Sequence, residues 1–318
     1  MTPILDRQID DRARAVLRRL ELDVTRRLDG LLQGDYRGLV SGLGSEPGEA
    51  RAYSPGDDVR RIDWSITARM CETHVRDTIA DRELETSVLV DVSPSLTFGT
   101  AQRTKAELAL AAVAAIGFLT DRVGNRLGAV ATDGHQIHAF RTGTGRRNLL
   151  ALLHRIHTLS GRERSPSSTG PGTDVDAGSL AAGLHRIAGP RHRGGLAVVI
   201  SDLLDDDWEQ PLRRVCQRHD TLVLEIVDPR ELELPNVGVI ELRDQETSAV
   251  REIDTRNRKL RDRYAEAGRQ RLADHADTVR RAGADHLVLR TDSDWVVDLA
   301  VFVDRRRRSG RVNRTVRP

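Results

Sequence analysis

The sequence predicts a three-layer α/β domain built on a mostly parallel sheet, and three observations carry that prediction. Val88 to Val92 is a β-branched apolar run with an acid, Asp91, at its end, as in a strand buried on both faces that reaches its carboxyl edge. Leu196 to Ile200 repeats the pattern and stops at Ser201-Asp202. Around these runs, strand-length apolar segments alternate with segments of helical periodicity, the order that lays helices over a parallel sheet.

Taken from the start, Ile9, Ala13, Val16, Leu17, Leu20, Val24, Leu28 and Leu31 recur at helical spacing, so Ile4 to Leu32 reads as an amphipathic helix and residues 1–33 as an N-terminal helical segment. Its apolar face must cover something. Glycines from Gly34 to Gly48 end that helix and open an irregular extension over residues 34–84. Within it, Pro55-Gly56 carries the signature of a type II turn, Pro presetting the first central residue and Gly accepting the positive φ of the second. Asp57, Asp58, Arg60, Arg61, Asp63 and Arg69 set both charge signs close together beside Tyr53 and Trp64. A self-satisfied ion-pair network that pins the segment to the main sheet accounts for such a block. The same Asp57, Asp58, Arg60, Arg61, Asp63, Trp64 and Arg69 are also candidates for a partner-docking surface.

The main domain spans residues 85–304. After the Val88–Val92 strand, Asp91, Ser93 and Ser95 place three oxygen-bearing side chains in alternation on one loop, which lies where parallel sheets gather ligands, outside the carboxyl ends of the strands. A carboxylate with two hydroxyls suits a hard cation such as magnesium, which keeps several waters. Asp and Ser also close strand-to-helix turns for backbone reasons alone, and the loop by itself leaves both readings open. Ala101 to Thr120 is alanine-rich and helical by propensity. Arg126–Thr132 and Gln136–Phe140, joined through Asp133-Gly134, give a hairpin signal. Arg146 to Leu159 is a helix with Leu149, Leu150, Leu153 and Ile156 on one face.

Ser160 to Gly172 lacks periodicity and reads as a surface loop ending at Thr173, a candidate cap for a helix from Gly178 to Ile187. Asp205, Asp206 and Asp207 then fit an acidic helix start. Val237–Leu242 and Ala249–Ile253 form a further hairpin, followed by a charged helix from Asp254 to Ala282, a short strand from His286 to Leu289 and a last helix from Asp294 to Arg306. Residues 305–318 are arginine-rich, without aromatic interleaving, and are expected to be a disordered solvated tail.

Composition narrows the function classes. Hydrophobic residues are 38% and charged residues 31% of 318, a globular profile, and the formal net charge of +2 promises no strong general attraction to nucleic acid or membrane. No apolar run approaches a bilayer span, and the first twenty residues carry acids and arginines unlike a secretory leader, so a cytoplasmic location is expected. The two cysteines, Cys71 and Cys216, have no ligand spacing and read as reduced thiols. Only Lys105 and Lys259 are lysines among 50 basic residues, and no Gly-Lys-Ser/Thr occurs, which excludes a P-loop. His154 and His157 share a helix face without a third ligand, and no Gly-x-Ser-x-Gly elbow is present.

Tyr53-Ser54-Pro55-Gly56-Asp57-Asp58, then Arg61-Ile62-Asp63-Trp64, Thr67-Ala68-Arg69, Asp91-Val92-Ser93-Pro94-Ser95 and Phe98-Gly99 together resemble the bacterial domain-of-unknown-function family number fifty-eight. That family is similar to von Willebrand factor type A domains, so the resemblance implies a Rossmann-like sheet whose Asp-x-Ser-x-Ser loop is a metal-ion-dependent adhesion site. It further implies that Ser93 and Ser95 hold Mg2+ (or Mn2+ or Ca2+) directly, Thr173 directly or through water, and Asp91 and Asp202 mainly through water. By the same resemblance the expected activity is metal-dependent protein binding, as an adaptor or co-chaperone of a MoxR-type AAA+ ATPase acting on a protein client, with no enzymatic turnover. Two other classes stand against it. A magnesium-dependent phosphohydrolase or phosphotransferase would use Asp91 as nucleophile, although Ser93 stands where such enzymes carry a second acid. A nucleic-acid binder would rest on the arginine tail alone.

Overall fold

The computed structural model describes residues 24–28, 30–31, 46–54, 57, 59, 62–79, 85–122, 124–160, 178–189, 195–243 and 250–308. A small N-terminal unit consists of β1 (Glu46–Ala52), α1 (Trp64–Met70) and β2 (His74–Ile79). The chain continues through β3 (Glu85–Asp91), α2 (Lys105–Arg122), β4 (Arg126–Thr132), β5 (Ile137–Gly143), α3 (Gly145–Ser160), α4 (Leu180–Ile187), β6 (Leu196–Ser201) and α5 (Glu209–Cys216). It ends with β7 (Asp220–Val227), β8 (Val239–Arg243), β9 (Val250–Asp254), α6 (Arg258–Ala282), β10 (Asp285–Arg290) and α7 (Trp295–Arg308).

Six strands form the main sheet in the order β10-β7-β6-β3-β4-β5, parallel throughout except for the β4–β5 hairpin. Strand alternation decides what each face buries. Val88 and Val90 of β3 point into a core shared with α2, α3 and α7, where Leu108, Ile116, Leu153, Trp295 and Leu299 pack. Leu89, between them, points into a second core with Leu184 of α4, Val215 of α5 and Val279 of α6. The expected three-layer, mostly parallel α/β architecture is the one observed. Helix α4 sits tight on the sheet because Gly183 has no side chain: a Cβ there would lie 2.6 Å from both Leu89 Cδ1 and Thr132 Cγ2.

Several elements depart from the sequence reading. The N-terminal helix is described only at residues 24–28 and 30–31, where Val24 and Leu28 are buried in the first core and Arg27 pairs with Asp294 at the start of α7. The extension forms its own antiparallel β1–β2 pair, and within it Arg51 pairs locally with Asp57 through two contacts of 2.7 Å. The arginine tail begins later than expected. α7 continues to Arg308, and Arg306 is buried, paired with Asp220 and, at 3.1 Å, with Asp285; those acids lie at the starts of β7 and β10 and need a counter-charge. Residues 309–318 lie outside the described residues.

Glu225 of β7 is a buried acid away from the sheet edges, only 1% exposed. His275 of α6 and His286 of β10 engage its two oxygens at 2.7 and 2.8 Å. Burial pushes this carboxyl up, but the two histidine hydrogen bonds outweigh it and hold the group below its ordinary value. A carboxyl depressed in the fold contributes stability that is complete above the ordinary carboxylate range and is lost as pH falls through the lower folded value. Glu225→Gln is therefore expected to destabilise the protein by about 2–3 kcal/mol near neutral pH. Urea unfolding of both proteins should show that difference shrinking toward pH 3.

Candidate metal centre

The site is built where β3 and β6 end side by side. The register aligns Val90 with Ile200, so Asp91 and Ser201 emerge as neighbours at the carboxyl edge. Asp91 is 3% exposed and both its oxygens are engaged: Oδ1 accepts the Ser93 N–H at 2.8 Å and Oδ2 accepts the Ser201 hydroxyl at 2.9 Å. The Asx turn at Oδ1 folds the loop back so that Ser93 Oγ and Ser95 Oγ lie 2.9 Å apart. Ser93 is buried, Ser95 half-buried.

Asp202 comes from the next strand end and is also buried. Its Oδ1 accepts the Leu204 N–H at 3.3 Å and its Oδ2 takes the Lys105 ammonium at 2.7 Å. The turn that presents it is held in a conformation bulky residues avoid: Leu203 has φ 56°, fixed by its N–H donating to Ser201 Oγ at 3.0 Å. Asp205 does not start its own helix as expected. It accepts the Leu180 N–H at 2.7 Å, so its charge sits at the beginning of α4.

These charges act on one another. Burial, then the neighbouring Asp202 carboxylate, pushes the Asp91 carboxyl up to about 7. Burial alone would lower the Lys105 ammonium, but Asp202 and Glu231 outweigh it and raise the group, which therefore stays charged.

The residues present fit a hard cation. Two carboxylates and the Ser93 and Ser95 hydroxyls are all oxygen donors, the ligand type that hard cations take. A further hydroxyl is at hand. Thr132 stands beside Asp91 in the β3–β4 register, 1% exposed, and its Oγ1 has no hydrogen-bond partner among the described residues.

Thr173 lies outside the described residues, but the anchor five residues after it does not. The Gly134 N–H donates to the Gly178 carbonyl at 3.2 Å, and Gly178 packs so closely that a Cβ would lie 2.2 Å from the His135–Gln136 backbone. Gly134 is in turn beside Ser93, 3.9 Å from its Cβ to the position a Gly134 Cβ would take. The cap of the helix that follows is Ser179, through the Ala182 N–H at 3.2 Å.

The described candidate docking residues lie in the small N-terminal unit. Asp57 is committed to Arg51 and to the Ser54 N–H, while Asp63 caps α1 through the Ser65 and Ile66 N–H groups, both at 3.0 Å. Trp64, 71% exposed, and Arg69 face outward from that helix; Asp58, Arg60 and Arg61 lie outside the described residues.

The family model described as "Protein of unknown function DUF58" matches residues 49–274. The chain belongs to this family. The resemblance drawn from Pro-Gly-Asp-Asp, Ile-Asp-Trp and Asp-x-Ser-x-Ser is thereby borne out. An uncharacterized protein of Mycobacterium tuberculosis strain H37Rv is 47% identical over 300 residues, covering 94% of this DUF58 chain and 91% of that one. Among solved structures, an aerotolerance-related membrane protein from Bacteroides fragilis is similar at 14% identity and a TM-score of 0.41, over 71% of this chain and 99% of that one. The SpRpn10 VWA domain is similar at 11% identity and a TM-score of 0.36, over 74% and 100%. No helix among the described residues is long and apolar enough to cross a membrane.

Sequence reasoning missed Ser201 and Lys105. Ser201 was visible next to Asp202, and Lys105 was one of two lysines among 50 basic residues, but nothing local ties either to Asp91.

The raised Asp91 carboxyl has a stability consequence. In the unfolded chain it ionises at an ordinary value, whereas the fold keeps it protonated up to about 7, so stability falls as pH rises between the two values. Asp91→Asn removes that cost. In EDTA, its stability relative to the native chain is expected to rise by about 3 kcal/mol between pH 4 and pH 8, read from chemical unfolding at each pH.

Proposed function

We propose that this chain is a metal-dependent protein-interaction module working in the cytoplasm. The observation that carries the reading is the convergence of Asp91, Ser93, Ser95 and Asp202 at one sheet edge, with Ser201 locking the first carboxylate in place. Ser93 and Ser95 would hold Mg2+ or Mn2+ directly, Asp91 and Asp202 through water, with either Thr173 or the Thr132 hydroxyl, which has no hydrogen-bond partner among the described residues, as a further oxygen. These would supply fewer than the about six oxygens a hard cation wants, so one position would be open to another ligand. A carboxylate from a protein partner suits that position. The resemblance stated above points to a MoxR-type AAA+ ATPase and its protein client as the partners, with this chain as adaptor or co-chaperone.

Asp91 is poorly arranged for the phosphohydrolase alternative. Asp91 is only 3% exposed, its carboxyl is raised by burial and by Asp202, and Ser93 stands where such enzymes carry the second acid, so a charged nucleophile within reach of substrate is disfavoured. Binding is what such a fixed acceptor supports.

Calorimetric titration of Mg2+ and Mn2+ tests the reading. The native chain is expected to bind one ion, and the Ser93→Ala/Ser95→Ala variant to lose at least tenfold in affinity, about 1.4 kcal/mol or more. Purified MoxR-type ATPase should be retained by the immobilised native chain in Mg2+ and released by EDTA. Retention that survives EDTA and the double substitution would make the loop structural, and turnover of a phosphate ester lost in Asp91→Asn would favour the enzyme.

A further inference from the structure

Lys105 is the first residue of α2 and is 0% exposed, although lysine is rarely buried completely. Its ammonium lies 2.7 Å from Asp202 Oδ2 and 2.5 Å from Glu231 Oε1. The helix start that carries it is fixed, since the Lys105 N–H donates to the Phe98 carbonyl at 2.9 Å. Glu231 is fixed too. Its other oxygen accepts the Asp228 N–H at 3.0 Å, and Asp228 is clamped by the Thr100 hydroxyl at 2.6 Å and the Thr291 hydroxyl at 2.8 Å. The ammonium thus stands at a set position between a braced turn and the one candidate ligand that comes from β6.

A lysine in that place does two opposing things. Without a metal it neutralises Asp202 and spares the fold a buried uncompensated charge. With a metal it places a fixed positive charge next to a ligand of a divalent cation, in surroundings where charges interact strongly. Asp202 cannot give its full charge to both. Building on the metal-binding reading above, we propose that Lys105 is an internal counter-cation that lowers the affinity of this site for divalent ions, keeping metal binding weak and reversible while holding Asp202 in position when no ion is bound. It is a positioning residue, acting through Asp202.

The test compares the native chain with Lys105→Gln, Lys105→Met and Lys105→Arg by calorimetric titration of Mg2+ and Mn2+ and by thermal unfolding in EDTA and in saturating Mg2+. Lys105→Gln keeps hydrogen-bonding capacity without charge, which guards against a failure of Lys105→Met to fold. Both neutral variants are expected to melt below the native chain in EDTA, to bind Mg2+ about tenfold more tightly or better, and to recover most of the lost melting temperature in Mg2+. Lys105→Arg keeps the charge and should show no tightening. A role confined to packing would lower stability equally with and without metal and leave affinity unchanged or weaker, which would overturn the proposal. If the native chain binds metal and the neutral variants bind it no better, the counter-cation role fails while the metal-binding reading stands. If neither native nor variant chains bind metal, both fail together, and binding by a neutral variant alone supports the proposal.

Discussion

The burial of β3 on both faces and along both edges is the constraint on which the rest depends. With β6 on one side and β4 on the other, and cores above and below, the strand can end in a polar residue only where its neighbours satisfy it. Asp91 is therefore met by an amide from its own loop and by a hydroxyl from the adjacent strand. That requirement brings Ser93, Ser95, Ser201 and Asp202 into one place. The concentration of oxygen atoms at this edge follows from how a parallel sheet ends as much as from what the site does.

Four buried carboxylates among the described residues are handled by different chemistry. Asp228 is surrounded by threonine hydroxyls and backbone amides, Glu225 by two imidazoles, and Asp202 by an ammonium. Asp91 is answered by neutral donors while burial and Asp202 oppose its charge, and its carboxyl is driven up to about 7. The first three are settled within the fold. A buried carboxyl raised in this way marks Asp91 as a candidate site residue.

Much of this was legible in the sequence where the signal is local. The Val88–Val92 and Leu196–Ile200 runs, the Asp133-Gly134 turn and the long charged helix each carry their own periodicity or turn chemistry, and each is present as β3, β6, the β4–β5 hairpin and α6. The Asp-x-Ser-x-Ser loop was equally readable, because the Asx turn that shapes it needs only residues two apart. The partners of those residues were not. Lys105 reaches Asp202 across 97 positions and Ser201 reaches Asp91 across 110, and only the sheet register relates them. The arginine-rich end was misread for a related reason. Arg306 sits in a run that looks like a solvated tail, yet it is buried against two acids whose proximity depends on the pairing of β7 with β10.

The Arg306 clamp also determines where this protein can be cut. Charge pattern alone would set the C-terminal boundary after residue 304, where the run of arginines begins. Trimming there would leave Asp220 and Asp285 facing each other at the starts of adjacent strands without their shared cation, and would shorten the helix that covers one face of the sheet. The usable boundary for a shortened chain lies beyond Arg308, and a fusion or tag joined upstream of it would disturb the starts of β7 and β10, the opposite ends of those strands from their carboxyl edge.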